Sequence, residues 1–251
     1  MSRNFELMQE ANAKPAGFFG DLFTSGLVIE KTAQQSESSS LALDVFAREE
    51  FAKLVQNVFL LRGDESAKSV VFAGIDSRSG CSEVCARAAR ILASHKVGSV
   101  CLVDANMYSP SLPGLLGVSN HFGLSDSLRQ DGRIQDFVTS AGVDNLWLLS
   151  CGSFTESTLG INSGAFKSRL CELRVAFDFV LIDSPPTDKY ADGATLGRLS
   201  DGLVLIIRAN STRREAALSV TRSLRAANVP ILGAVLNGRT FPIPGRLYRK
   251  L

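Results

Sequence analysis

The side chains that could do chemistry are gathered in three short segments. The small-residue loop Gly74–Ser82 (GIDSRSGCS) ends in Gly80-Cys81-Ser82 and leads directly into a helical pattern. That is the setting of the phosphate-binding pattern GxxxxGK[ST], where glycines form the turn, a lysine reaches the β/γ-phosphates and a hydroxyl holds Mg²⁺. Ser82 supplies the hydroxyl, but Cys81 occupies the lysine position and Ser77-Arg78-Ser79 lacks the usual glycines. On its own, this loop reads equally well as a tight strand-to-helix turn. The second and third segments are apolar runs that end in a carboxylate, Cys101-Leu102-Val103-Asp104 and Val180-Leu181-Ile182-Asp183, the latter stopped by Ser184-Pro185-Pro186. An Asp at the end of a buried strand is placed to hold Mg²⁺ or a metal-bound water, and singly it serves as well to cap a helix.

Other reactive residues form weaker patterns. Cys81 and Cys85 lie one helical turn apart at a helix start, where the backbone dipole lowers a thiol pKa. A redox or metal pair would suit that spacing, yet no His or third Cys completes a ligand set. His95 and His121 read as surface or loop residues.

These segments need a scaffold, and the pattern after Arg62 provides one. Strands are expected at Ser69–Ala73, Ser99–Val103, Leu146–Leu149, Phe179–Ile182, Leu203–Ile207 and Ile231–Leu236. Helical patterns at Glu83–His95, Ala165–Phe177, Asp192–Leu199 and Thr212–Ala227 separate them. Near-continuous apolar strands alternating with helices imply a doubly wound α/β fold, with seven or eight mostly parallel strands covered on both faces. Ligands of such sheets sit beyond the carboxyl ends of the strands, so the loops after Ala73, Val103 and Ile182 form the candidate site.

Upstream, Leu41–Leu61 (LALDVFAREEFAKLVQNVFLL) has apolar residues at three- and four-residue steps, as an amphipathic helix does. Residues 1–40 read as a separate arm: Phe18, Phe19, Leu22, Phe23 and Leu27 recur at helical spacing, followed by the Ser-rich linker 36–40. The domain proper is then 41–251.

Composition bounds the class. The 251 residues carry 27 Lys+Arg and 25 Asp+Glu, a net charge of +2 that exerts no global pull on nucleic acid. Five cysteines at irregular spacing do not make a disulfide framework, so a reducing cytoplasm is expected. No apolar run approaches the roughly 20 residues of a membrane span.

From about Leu43 onward the chain resembles the cytoplasmic kinase module of bacterial tyrosine kinases (BY-kinases) of capsule and exopolysaccharide synthesis, P-loop NTPases of the deviant-Walker group that includes ParA and MinD. Ser77–Glu83 (SRSGCSE) lies where that family has PGxGKST, and Val103–Leu112 where it has DxDxRxPxL. Phe177–Pro186 (FDFVLIDSPP) follows its third motif almost throughout, and Asp201–Arg208 and Ile231–Asn237 resemble its later strands. Glu50–Gln56 lies where the family carries ExxRxxR on an oligomer-forming helix. The resemblance implies an αβα P-loop fold, with ATP or ADP held by Ser79, Gly80, Cys81, Ser82 and Glu83, and Asn237 at the base. It further implies Mg²⁺ at Ser82, Asp104 and Asp183, with Asp104 deprotonating an attacking tyrosine if the site is active.

The chain also departs from that pattern. Cys81 replaces the lysine, Asn106 the second acid and Tyr108 the arginine of the second motif; Lys53 and Gln56 replace the ExxRxxR arginines, and the tail has Tyr248 instead of a tyrosine cluster. Loss of a charged hydrogen bond in a closed site costs about 2–4 kcal/mol, roughly 30- to 1000-fold in rate. Arg78 is a candidate substitute charge from two residues before Gly80. The expectation is therefore a pseudokinase or scaffold with weak or absent nucleotide binding. Its expected place is the cytoplasm, peripheral to the inner membrane, beside a membrane-embedded polysaccharide chain-length regulator and self-associating through Leu41–Leu61. An active tyrosine autokinase and a ParA/MinD-type ATPase are the alternatives. Asp76, where a MinD-like lysine would stand, argues against DNA partitioning.

Overall fold

The computed structural model describes residues 27–32, 45–61, 66–153 and 163–239. In chain order the elements are β1 (Leu27–Thr32), α1 (Val45–Val55), β2 (Ser69–Gly74), α2 (Cys81–Ser94), β3 (Val100–Asp104), α3 (Leu112–Leu116) and α4 (Leu124–Ser127). There follow β4 (Thr139–Ser140), β5 (Leu146–Leu149), α5 (Ser163–Ala176), β6 (Phe179–Ser184), α6 (Asp192–Leu199), β7 (Gly202–Arg208), α7 (Arg214–Ala226) and β8 (Ile231–Arg239). They build one eight-stranded sheet in the order β1-β8-β7-β2-β6-β3-β5-β4. Every pairing is parallel except β4 with β5.

Strand alternation divides the core into two layers. Val71, Ala73, Val103, Ile182 and Leu205 face a cluster that includes Phe166, Leu170 and Leu173 of α5, Leu196 of α6 and Leu224 of α7. Val70, Phe72, Leu102, Leu181 and Val204 face the other way, onto α1 and α2. Because both faces are covered, the central strands carry no polar residue between Ser69 at the start of β2 and their open end. Helix α2 is buried almost all round, and its run of alanines lets it lie close between the sheet and α1.

Two stretches differ from the sequence expectation. The helix expected over Leu41–Leu61 is α-helical at Val45–Val55 and then widens into a π-turn, Gln56–Leu60, closed by the Leu61 amide on the Gln56 carbonyl at 2.8 Å. The wider turn buries the adjacent pair Val58 and Phe59 together, and Phe59 meets Phe179 edge-on at 5.9 Å. The sheet also extends into the segment read as an N-terminal arm, since Leu27–Thr32 pairs in parallel with β8. Leu27 is therefore in a strand, not on the helical face it was grouped with. Phe18, Phe19, Leu22, Phe23, the linker 36–40 and Tyr248 lie outside the described residues.

Asp201, just before β7, ties that strand to β2. Its carboxylate accepts the Lys68 and Ser69 amides at 2.8 Å and the Ser69 hydroxyl at 3.0 Å, and it pairs with Arg174. Burial alone would raise its pKa, but the Ser69 and Lys68 donors and then Arg174 outweigh it and hold it below the ordinary carboxylate value. Asp201→Ala should lower the unfolding free energy at pH 7 by about 2 kcal/mol. A depressed folded pKa contributes stability above the unfolded value that is lost as pH falls through the folded one, so the deficit should shrink in acid. Urea melts at pH 7 and pH 3 test this; equal midpoints for variant and parent at pH 7 would refute it.

Candidate functional site

The loop between β2 and α2 turns on Gly80. Its φ of 74° is left-handed, and a Cβ there would stand 2.5 Å from the Asn237 amide nitrogen, so only glycine fits. The loop closes on itself through Asp76, whose carbonyl accepts the Ser79 amide at 3.1 Å and whose side chain accepts the Arg78 amide at 2.9 Å. Side chains from the β7–β8 side then clamp it. Asn237 Nδ2 donates to the Ser79 carbonyl (2.9 Å), Arg208 to the Arg78 carbonyl (2.7 Å) and the Thr212 hydroxyl to the Asp76 carboxylate (2.8 Å).

On the other side stand the carboxylates. Asp104 of β3 and Asp183 of β6 are register partners, so their side chains leave the same face of the sheet, the one that carries α2. Neither has exposed area. Asp104 accepts the amides of Asn106 (3.2 Å), Ser111 (3.2 Å) and Leu112 (3.1 Å), which makes it the organiser of the loop into α3. Both oxygens of Asp183 are buried with no hydrogen-bond partner among the described residues, though Ser82 and Cys81 are close enough to draw its pKa down.

Burial, then the charge of Asp183, pushes Asp104 up to about 8, against the pull of its three amide donors. Burial likewise pushes Asp183 up to about 6, opposed by Ser82 and Cys81. Two carboxylates this close titrate as a pair and share a proton near neutrality.

The thiols do not behave as their place on the helix suggested. Burial, then Asp183, pushes Cys81 well above an ordinary thiol, and burial with Asp183 and Asp104 does the same to Cys85. Desolvation and two facing carboxylates override the helix dipole, so neither is a poised thiolate. Among the described residues, no group of three or more His, Cys, Asp and Glu could hold a metal ion.

The loop, the start of α2 and the segments that follow β3 and β6 border a cavity of about 450 Å³, within the range of roughly 300–1,000 Å³ typical of ligand sites, and Asp104 and Asp183 are buried behind its wall without lining it. Ser79, Gly80, Cys81, Ser82 and Glu83 line it. Asn237 is buried and bonded to the loop, and Arg78 is exposed and does not line the cavity, so the substitute charge expected from Arg78 is not in place. Glu83 is ion-paired with Arg87, one turn along. Burial raises its pKa, partly offset by Arg208, so an acid stands where a phosphate would approach. Tyr108, in the second motif's arginine position, stacks on Tyr190 with ring centroids 3.7 Å apart and donates to Asp192 at 3.4 Å. Sequence reasoning missed Tyr190, Lys189, Arg208 and Thr212, which carry no spacing signal.

The residues present fit a divalent cation. Two buried carboxylates, one without partners, and a neighbouring hydroxyl are a hard-oxygen set of the kind Mg²⁺ uses together with water and phosphate oxygens. They fit a polyphosphate less well, since Asp76 and Glu83 line the same cavity.

No family model matches the chain. The chain is 27% identical over 192 residues to the tyrosine-protein kinase YwqD of Bacillus subtilis, covering 76% of this chain and 81% of that protein. Among solved structures it superposes on the chimerical protein CapA2B2 with a TM-score of 0.75 at 23% identity, covering 86% and 94% of the two chains. It superposes on the kinase domain of the Escherichia coli tyrosine kinase ETK with a TM-score of 0.72 at 21% identity, covering 86% and 90%. The chain is a homologue of the bacterial tyrosine-protein kinases and has their P-loop NTPase-like α/β fold.

The carboxylate pair predicts an unusual pH dependence. Where the folded pKa is raised, the folded state binds more protons than the unfolded one, so stability is full in acid and falls as pH climbs from about 4 towards 8. Asp183→Asn should flatten that slope and raise the melting temperature at pH 8. Differential scanning fluorimetry from pH 5 to pH 8.5 measures both, and an unchanged slope in the variant would refute the shared-proton assignment.

Proposed function

We propose that this protein is a BY-kinase-like regulator of capsule or exopolysaccharide synthesis, which holds Mg²⁺-nucleotide weakly and transfers phosphate negligibly. The observation that carries this reading is the state of position 81. What supports it is that the side chain in the lysine position of the strand-to-helix loop is a half-buried thiol, on which Asp183 exerts the largest charge effect.

In this reading Ser82, Asp104 and Asp183 would hold Mg²⁺, which would supply charge neutralisation for the phosphates. The amides from Gly80 to Glu83 would face the phosphates at the start of α2, where the helix dipole favours an anion, while the Ser79 amide is already bonded to the Asp76 carbonyl. Glu83 and Asp76 oppose that anion. The family resemblance assigns Asp104 the acceptance of a tyrosine proton, but it is fully buried and three amide donors already hold it in a structural role. Chemistry then fails mainly because no positive charge is fixed on the loop itself, at position 81, to meet the transferring group.

The regulatory part of the proposal places the protein in the cytoplasm against a membrane-embedded polysaccharide chain-length regulator. It draws on the family resemblance and on α1, whose Phe51 and Leu54 are buried while Arg48 and Glu49 are exposed. Among the described residues no helix is long and apolar enough to cross a membrane, so in this reading the regulator supplies the membrane contact.

Titration calorimetry with Mg²⁺-ADP and Mg²⁺-ATP, together with an autophosphorylation assay, tests the enzymatic half. Cys81→Lys should tighten nucleotide binding at least tenfold, about 1.4 kcal/mol, and the parent protein should show negligible phosphotyrosine. Autophosphorylation of the parent at the rate of YwqD assayed alongside would overturn the pseudokinase reading. For the regulatory half, removal of residues 1–26 leaves β1 intact and should abolish co-purification with the chain-length regulator while the domain stays folded. Retention of the regulator by that truncation would refute docking through the arm.

A further inference from the structure

We infer that Lys189, on the loop after β6, supplies the phosphate-binding positive charge that position 81 lacks. The inference deepens the nucleotide reading above and rests on it. Lys189 is the one basic side chain among the described residues lining the cavity, which it shares with Gly80, Cys81 and Ser82.

Its backbone is fixed more firmly than a surface loop requires. The Thr187 amide donates to the Gly74 carbonyl at 2.9 Å and the Asp188 amide to the Ile75 carbonyl at 3.0 Å, which stitches this loop to the first residues of the phosphate loop. The Lys189 and Tyr190 amides both turn back to the Pro186 carbonyl, at 3.3 and 3.1 Å. Tyr190 is then pinned by its stack on Tyr108, itself tethered to Asp192. Lys189 is thus held between two anchored neighbours.

The ammonium, in contrast, is uncommitted. It has no hydrogen bond or ion pair among the described residues, and the side chain is exposed. The other charges near the site are engaged. Arg208 donates to the Arg78 carbonyl, Glu83 pairs with Arg87, and Asp76 accepts from Thr212 and from the Arg78 amide. A compact ammonium on a flexible stem with a fixed root can follow the terminal phosphate of a nucleotide without a rearrangement of the loop. Lysine recognises phosphate as a point charge and so does not need to enter from the residue after Gly80.

The test uses the full chain, titrated calorimetrically with Mg²⁺-ADP and Mg²⁺-ATP. Lys189→Ala should weaken Mg²⁺-ATP at least tenfold, and Lys189→Arg should stay within threefold of the parent. In a Cys81→Lys background, where charge is restored at the usual place, Lys189→Ala should cost less than threefold. That non-additivity is the signature of one charge serving in two positions. Equal melting temperatures of the Lys189 variants and the parent are expected from the exposure of this side chain and rule out unfolding as the cause. If the parent binds nucleotide and Lys189→Ala binds it equally, the inference about Lys189 is wrong while the nucleotide reading stands. If neither the parent nor Cys81→Lys binds either nucleotide, both are wrong. Binding by Cys81→Lys alone shows a competent pocket to which Lys189 contributes nothing, and overturns the inference.

Discussion

Asp104 and Asp183 stand at the ends of neighbouring strands, in register, on one face of the sheet and without exposed area. Two carboxylates in that position cannot both be ionised unless a cation lies between or beside them. Much of the surrounding geometry answers to this constraint. Asp104 takes three backbone amides, the most that its loop offers, and thereby directs the chain into α3. Asp183 receives no donor of good geometry and lies instead against the first turn of α2. Burial therefore raises the affinity of the pair for a proton above that of a solvated carboxylate. A cation that binds there displaces the proton, so cation affinity and proton affinity are linked at this point of the fold.

The phosphate loop keeps its shape without glycines at 77–79 because other parts of the fold hold it. Asn237, Arg208 and Thr212 reach it from the β7–β8 side, and the backbone at Thr187 and Asp188 meets the first loop residues from β6. In a loop of the usual composition, glycine amides that approach a phosphate would do part of this work. Here the amides of Arg78 and Ser79 are spent on Asp76. Preorganisation of the loop and affinity for an anion are thus separable properties, and this chain has secured the first by protein–protein hydrogen bonds that lessen the second.

How much of this could be read from the residues follows from the range of each interaction. The strands of the central sheet were legible within a residue or two, because burial on both faces leaves uninterrupted apolar runs such as Val70–Ala73 and Val180–Ile182. The approach of Asp104 to Asp183 was legible as well, since two Asp-ended strands in a parallel sheet bring their ends to one edge. The two-residue β4 and the π-turn were not, being set by what they pack against. Nor was the stack of Tyr108 on Tyr190, which joins loops 82 positions apart in the sequence through the β3–β6 pairing. The thiols were misjudged for a different reason. A helix dipole can be assigned from position alone, whereas the larger effects of burial and of Asp183 require the folded structure.

Exchange of lysine for cysteine at position 81 then has consequences beyond a missing contact with phosphate. A lysine there would place a cation near Asp183 and allow the carboxylate pair to ionise, so that one side chain would serve both the pair and the nucleotide. With a thiol there the pair has no such cation, and a phosphate bound at the loop would need its positive charge from another side chain. Lys189 stands on a loop that hydrogen-bonds to the same two residues, Gly74 and Ile75, from which the phosphate loop departs. In the proposed reading the tasks of a lysine at position 81 are divided: a raised proton affinity serves the carboxylates, and Lys189, on the loop after β6, serves the anion.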